Sequence, residues 1–297
     1  MFFDGFEYSV DRSNANALSI FQQSGGWNSG KTQQSSSGAR GYLYTVDRVP
    51  GYDLAFPGGS STRVLAMESL PGSLNGQTDF YLQYGNGDSA AYDNAVPGNA
   101  WFQFWIYINY YGDQLSRLDG GNKFFYPCNS SYPCHTGKWL LSFGADGYLP
   151  TSQSLGIPSS GALFTNIAQL QDGAAQIDNT RYAYEDRWKL GQANTTMHVS
   201  PNRWTLVKIH IDTSTSAGNY EMWMKPMGGQ WTKVVEWLSG VTPGFNWTIN
   251  PGFIGGHRVL RMPTTVGSGT PERPRWDSWV YIDDFAIARS EQGLPQY

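Results

Sequence analysis

The sequence predicts an all-β protein, an antiparallel two-sheet jelly-roll sandwich whose terminal strands pair. Three observations predict it. Roughly ten or more short segments alternate apolar and polar residues, with Gly/Pro-rich stretches between them and almost no helical periodicity. The composition of 15% aromatic residues, 15% charged residues and 35 Gly fits neither a disordered chain, which would lack aromatics, nor a helical one, which would be rich in Ala, Glu, Lys and Leu. Strand-like segments also stand at both ends of the sequence, Met1–Tyr8 (MFFDGFEY) and Trp279–Ala288 (WVYIDDFAIA).

Trp279–Ala288 carries a fault in phase. Val280 and Ile282 are apolar at even positions, Phe285 and Ile287 at odd ones. A strand alternates its faces with period two, so the change requires an inserted residue at Asp283 and Asp284. The expectation is a buried, bulged strand paired with Met1–Tyr8, with one Asp turned outward or hydrogen-bonded. Pairing of the ends implies one domain over residues 1–297, with long loops near 11–41, 113–137 and 263–275. Neither a linker nor an internal repeat is visible.

Between the ends, 11–41 is polar and Gly/Ser/Gln-rich, anchored by Trp27, and reads as a long surface loop with one short strand at most. Gly41–Val46 and Ser61–Leu70 are strands. Thr78–Tyr84 follows across PGSLNGQ, whose Asn-Gly predicts a hairpin. Trp101–Tyr111 puts Phe102, Phe104, Ile106 and Ile108 on one face and Trp101, Gln103, Trp105, Tyr107 and Asn109 on the other. Lys138–Ala145, Arg181–Leu190, Arg203–Asp212, Tyr220–Lys225, Trp231–Leu238 and Phe253–Met262 complete the strands, and Ala162–Leu170 reads as a strand or a short helix.

A net charge of −4 gives no basic footprint, so no nucleic-acid partner is expected. No apolar run approaches the roughly 18 residues of a membrane span. The N-terminus lacks the pattern of a signal peptide. Either one was removed, or the protein leaves the cell another way, such as in a virus particle; a virion or extracellular location is expected. The two cysteines, Cys128 and Cys134, lie in YPCNSSYPCHTG, which admits a local disulfide or two free thiols; zinc would need further ligands.

The segment RWTLVKIHIDTSTSAGNYEMWMKPMGG resembles the long hairpin of concanavalin A-like lectin/glucanase jelly rolls, nearest their polysaccharide-lyase branch. FFDGFEY and YIDDFAIA resemble that superfamily's paired terminal strands, and similar domains recur in phage structural and tail proteins. The resemblance implies a fold that carries both binders and enzymes.

Two faces are candidates for chemistry. The row Trp101, Gln103, Trp105, Tyr107, Asn109, extended by Trp204, Lys208 and Trp223, mixes flat rings with amides and is read as a carbohydrate platform or as secondary core. Arg181, Glu185, Arg187, Lys208, His210, Glu221 and Lys225, with Tyr81 nearby, offer cations and a base, or a solvated face with pairs such as Lys208–Glu221. A uronate lyase needs a cation or amide on the carboxylate and a His or Tyr to take the C5 proton. Jelly-roll alginate lyases carry an Arg-Ser/Thr-Glu-Leu-Arg strand and a Gln-Ile/Val-His strand. TRVLAMES keeps only Arg63 and KIHID only His210, so the resemblance carries over those two residues, with Tyr107 or Tyr81 as the tyrosine. The Glu-x-Asp-x-x-Glu strand of retaining glucanases of this fold is absent from the sequence. Asp4, Glu7, Asp283 and Asp284 are candidates for a structural Ca²⁺, which takes six to eight oxygens; no other cofactor is expected.

The leading expectation is a non-catalytic, glycan-binding decoration, fibre or tail protein of a phage, with glycans or other virion or cell-surface proteins as partners. The alternative is a polysaccharide lyase cleaving a uronate polymer by β-elimination. A third class is an assembly protein whose aromatic row is a contact between copies in a homo-oligomer.

Overall fold

The computed structural model describes residues 2–36, 39–47, 63–69, 77–79, 81–85, 96–109, 122–128, 140–145, 167–171, 203–242, 256–257, 259–262, 265–267 and 278–297. In chain order the first strands are β1 (Phe2–Asp4), β2 (Ser29–Lys31), β3 (Gln33–Ser36), β4 (Ala39–Val46), β5 (Val64–Ser69), β6 (Gln77–Asp79), β7 (Tyr81–Tyr84), β8 (Val96–Pro97) and β9 (Asn99–Asn109). Then come β10 (Asn122–Cys128), β11 (Leu140–Ala145), β12 (Ile167–Gln171), β13 (Thr205–Asp212), β14 (Asn219–Pro226), β15 (Thr232–Leu238), β16 (Gly256–His257), β17 (Val259–Met262), β18 (Thr265–Gly267) and β19 (Ser278–Ala288). A helix, α1, spans Ala17–Gly25.

The described strands form two main antiparallel sheets, and β8 and β16 pair separately as a two-stranded ladder. The larger runs β15-β14-β13-β9-β19-β5-β4-β3, with β1 also on β19; the smaller runs β12-β11-β10-β17-β7-β2, with β6 and β18 attached. The inner face of the large sheet supplies Phe102, Phe104, Ile106, Val207, Ile209, Met222 and Met224, and the small sheet supplies Leu82, Phe125 and Leu260 to the same core. Burying each large side chain contributes roughly 1.5–3 kcal/mol. The fold is thus the antiparallel two-sheet sandwich that the alternation predicts. Among the described residues, no helix is long and apolar enough to cross a membrane.

The phase fault in β19 is a bulge. Along one side β19 pairs with β9, and the register shifts between Asp283 and Ala286. Along the other, Ser278–Ile282 pair with β5 and Phe285–Ile287 pair with β1. The bulge therefore sits where β19 changes partner. One inserted residue, Asp284 at φ 48°, returns Phe285 and Ile287 to the inner face that Val280 and Ile282 already occupy. Asp is among the few residues that tolerate this left-handed conformation.

Asp4, at the end of β1, organises the N-terminal segment. Its carboxylate accepts hydrogen bonds from the Phe6 backbone N–H (2.8 Å), the Tyr8 hydroxyl (2.7 Å) and the Trp27 indole N–H (2.6 Å). The first of these braces Phe6 at φ 56°, an unusual conformation for a bulky side chain. Trp27 stacks on Phe285 at 5.5 Å and meets Phe2 edge-on at 5.0 Å, so this network ties the segment to the terminal strand pair.

Several expected loops contain structure. Within 11–41 lie α1, β2, β3 and the start of β4. The helix buries Ala17, Phe21 and Gly25 along one face and ends at Gly26, φ 75°, whose N–H bonds Phe21 O. A nine-residue helix with so few apolar positions is hidden in Gln/Ser/Gly-rich sequence. β10 lies within 113–137 and β18 within 263–275, and Phe125 of β10 is in the core. Asn75-Gly76 does not join a hairpin, because β5 lies in the large sheet and β6 and β7 in the small one. The hairpin of β13 and β14 forms as expected, from Thr205 opposite Pro226 to Asp212 opposite Asn219. The segment Arg181–Leu190 lies outside the described residues.

Two predictions follow from the Asp4 network. Burial, outweighing the three donors, raises the Asp4 carboxyl from its ordinary 3.8 to about 6. A raised folded value contributes stability that is complete below the unfolded value and is lost as pH rises through the folded one. Asp4 is therefore expected to lower unfolding free energy by roughly 3 kcal/mol between about pH 4 and pH 6. In urea titrations at a series of pH values, Asp4→Asn should remove that part of the slope; an unchanged slope counts against the assignment. A Cβ on Gly25 would stand 2.3 Å from both Asp4 Oδ2 and Tyr8 Oη. Gly25→Ala should accordingly destabilise by roughly 1–3 kcal/mol, read as a fall in the urea midpoint.

Candidate ligand-binding face

The outer face of the large sheet carries the predicted site residues, since residues alternating with the core row of β9 must point the other way. Trp101, Gln103, Trp105 and Tyr107 of β9 stand there beside Leu206, Lys208 and His210 of β13, with Trp204 preceding that strand. Beyond them come Glu221, Trp223 and Lys225 of β14. The register sets Trp101 opposite His210 and Gln103 opposite Lys208, then His210 opposite Glu221 and Lys208 opposite Trp223. Asn109 lies opposite Trp279 on β19; its side chain is outside the described set.

The middle of the row is not the open platform expected. Gln103 is only 2% exposed and Trp105 3%, and Tyr107 is buried. Tyr107 packs against Trp204 and Tyr281 at 5.4 and 5.9 Å, in a second apolar cluster with Val64, Ala66 and Leu206. Gln103 and Trp105 are covered by the segment that follows β19. There, Gln103 Nε2 donates to Pro295 O (2.8 Å) and Lys225 Nζ to Tyr297 O (2.8 Å). The Tyr297 hydroxyl donates to Asp284 Oδ2 (2.6 Å), and its ring meets Trp105 edge-on at 5.6 Å. Lys208 pairs with Glu291, and Leu294 packs on Ala286 and Ala288 beside Trp101.

The corner over β13, β14 and β15 is more open. Trp101 stacks on His210 at 4.2 Å and 13° and lies near-parallel to Trp223 at 5.6 Å. Lys208 Nζ stands 4.5 Å from the Trp231 ring, 5.0 Å from Trp223 and 6.0 Å from Trp101. A cation so placed is held by the negative faces of the indoles. Lys233 Nζ lies 5.0 Å over Trp223, bonds Glu221 at 2.9 Å and pairs with Glu236. Trp101 and Trp223 are half-buried and Trp231 is 36% exposed. Trp231, Lys233, Glu236, Glu291 and Tyr297 were not singled out from the sequence; Lys233 lies in β15 and Trp231 immediately precedes it, whereas nothing in SEQGLPQY marks a covering segment.

The parts of the lyase reading do not meet. His210 Nδ1 lies 2.9 Å from Glu221 Oε2 and Nε2 lies 3.2 Å from Asn99 Oδ1. Asn99 Nδ2 is turned to Asp212 (3.3 Å), which fixes its oxygen toward the ring. Both ring nitrogens thus face oxygens, and one ring face is covered by Trp101. Arg63 precedes β5, three strand positions from β13, on the order of 14 Å across the sheet at about 4.8 Å per strand. It continues the inward parity of Leu65, whereas His210 points outward. Tyr81 is on β7 of the other sheet, not beside His210. Lys208 pairs with Glu291 rather than with Glu221, since register sets it opposite Trp223. Arg181, Glu185 and Arg187 lie outside the described residues, as does Cys134, so the pairing of Cys128 at the end of β10 lies there too.

Three of the four carboxylates expected to hold calcium, Asp4, Asp283 and Asp284, accept hydrogen bonds from protein donors. Asp4 accepts three on the inner side, Asp284 accepts Tyr297, and Asp283 Oδ1 accepts the Asp284 backbone N–H (2.8 Å). Among the described residues, no three His, Cys, Asp or Glu side chains gather around one point.

No family model matches the chain, and no curated protein does. Among solved structures it is similar to the GH131 β-glucanase catalytic domain of Podospora anserina, at 14% identity over 94% of this chain and 91% of that one, TM-score 0.39. It is similar to lectin I of Ulex europaeus, solved with the methyl glycoside of α-L-fucose, at 10% identity over 88% and 95%, TM-score 0.39. For the Lotus tetragonolobus seed lectin the values are 11%, 90%, 97% and 0.38. No residue role passes from these proteins to this chain, and the sandwich rests on its own strand pairing.

The ion-pair row gives a testable consequence. The hydrogen bond from His210, aided by Lys233 and opposed by burial, holds the Glu221 carboxyl below its ordinary range. A depressed value contributes stability that is present above the unfolded pKa and is lost as pH falls through the folded one. Glu221→Gln should cost about 0.5–1 kcal/mol at neutral pH, discounted for solvent screening. The difference from wild type should vanish in acid, as measured by thermal unfolding at pH 7 and pH 3.

Proposed function

We propose that this chain is a carbohydrate-binding module, displayed extracellularly or on a virion surface as part of a decoration, fibre or tail protein. The observation that carries the reading is the corner of the large sheet where Trp101, Trp223 and Trp231 surround Lys208, beside His210, Glu221 and Lys233. Indole faces are electron-rich and attract the C–H faces of a pyranose ring. Amide, carboxylate and ammonium groups around them match the alternating donors and acceptors of sugar hydroxyls. The strands beneath are rigid, so the rings are pre-positioned and little ordering opposes binding. The module is a binder without catalysis in this reading, consistent with an imidazole whose two nitrogens are engaged.

The test is calorimetric titration with a panel of neutral and uronate-containing oligosaccharides, combined with absorbance of unsaturated uronate products. At least one glycan should bind without product appearing. Trp223→Ala should weaken that binding by about tenfold or more, as for a central aromatic contact. Absence of binding across the panel, or a Trp223→Ala variant that binds like wild type, would refute the assignment. Product lost on His210→Ala would replace it with a lyase.

A further inference from the structure

We propose that the segment from Ser290 to Tyr297 is a displaceable strap seated on an acidic-glycan subsite, and that it competes with the ligand for that subsite. The inference rests on the carbohydrate reading above and deepens it. Apart from Leu294, which packs on Ala286 and Ala288, the contacts of the strap are ones that a chain of uronate sugars could replace. A carboxylate, that of Glu291, pairs with Lys208. Two carbonyl oxygens, of Pro295 and Tyr297, accept from Gln103 and Lys225 at 2.8 Å each. A flat ring, Tyr297, lies against Trp105 at 5.6 Å. A hydroxyl, also of Tyr297, donates to Asp284 at 2.6 Å. The sheet beneath thus offers two ammonium groups, an amide donor, an indole and a carboxylate, which suit an acidic sugar chain better than a neutral one.

Three features mark the strap as removable. It pairs with no strand among the described residues: its own backbone bonds there are the local ones of a single 3₁₀ turn, Gly293 N–H to Ser290 O and Leu294 N–H to Glu291 O. Its ends are wet, with Tyr297 40% exposed and the Glu291 side chain 47% exposed. The match to the sheet is also incomplete. Trp105, 3% exposed, keeps its indole N–H buried with no hydrogen-bond partner among the described residues, and leaving such a donor unmade costs about 1–3 kcal/mol. A glycan oxygen on that N–H would remove this cost, so the ligand has an interaction that the strap lacks. Lys208 keeps its three indole faces when Glu291 leaves, so displacing the strap does not strand the cation. The subsite adjoins the open corner through Trp101 and Lys208, so a chain bound at the corner extends directly beneath the strap.

A binding face available only part of the time has its affinity reduced by that fraction. Loosening the strap without altering the sheet should therefore tighten acidic ligands alone. The experiment compares wild type with Glu291→Gln/Tyr297→Phe, which removes one ion pair and one hydrogen bond while keeping Leu294, Pro295 and the ring. Oligogalacturonate and a neutral β-glucan oligomer are titrated into each, with thermal unfolding as the control for folding. Hydrogen exchange of residues 289–297 is followed with and without oligogalacturonate. The expected result is roughly fivefold or greater tightening for oligogalacturonate, no change for the neutral oligomer, and faster exchange of the segment when oligogalacturonate binds. Lys225→Gln in the same background should reverse the tightening. Unchanged affinity for oligogalacturonate, or exchange that slows on binding, overturns the strap while glycan binding at the corner stands. If no glycan binds any variant, both readings fall. If the neutral oligomer also tightens, the strap is a steric cover and the acidic subsite is overturned.

Discussion

The large sheet depends on the bulge at Asp283–Asp284. Among the described strands, β19 links β9 on one side to β5 and β1 on the other. Without the inserted residue, either Val280 and Ile282 or Phe285 and Ile287 would face outward, because side chains alternate strictly. With it, all four reach the core while the partner changes from β5 to β1. The same insertion positions Asp284 to receive the Tyr297 hydroxyl, so one irregularity serves both the inner core and the covering of the outer face.

The outer face is divided by what covers it. Around Tyr107, Trp204 and Tyr281 it is a second apolar cluster. Over Gln103 and Trp105 it is covered by the polypeptide itself. Toward β15, among the described residues, indoles and charges together reach solvent, and there Lys208 and Lys233 each have a carboxylate partner and an aromatic face. Such paired charges add little stability when exposed, but they hold long side chains in defined positions and so keep the rings upright.

Much of the fold was legible because it rests on period-two patterning. The β13–β14 hairpin, the pairing of the terminal strands and the parity fault in β19 all follow from which residues must be buried. The pattern cannot say which strands are neighbours when they are distant in sequence. Ser61–Leu70 and Thr78–Tyr84 look like a hairpin, yet they lie in different sheets. Nor can it tell a solvent-facing row from one covered by another segment. Trp105 and Gln103 sit on the predicted face, but Tyr297 and Pro295 cover them, and no local signal in SEQGLPQY indicates that. The helix at Ala17–Gly25 was missed because its buried stripe is only Ala, Phe and Gly, too weak a period to rise above a Ser/Gln/Gly background. Arg63 and His210 match short motifs, but topology separates them by three strands and by face.

The position of β19 also governs how the sheet is joined. Among the described residues, the block β15-β14-β13-β9 and the block β5-β4-β3 share no ladder except through β19, which follows the other described strands in sequence. β9 and β5 each have β19 as the described partner on the side where it lies. Their union closes contacts between Phe2 and Ile287, among the longest sequence separations the chain allows, and such pairing is intrinsically slow. The strand that joins the two blocks is thus also the one whose removal would expose an edge on each, the kind of surface that recruits other chains.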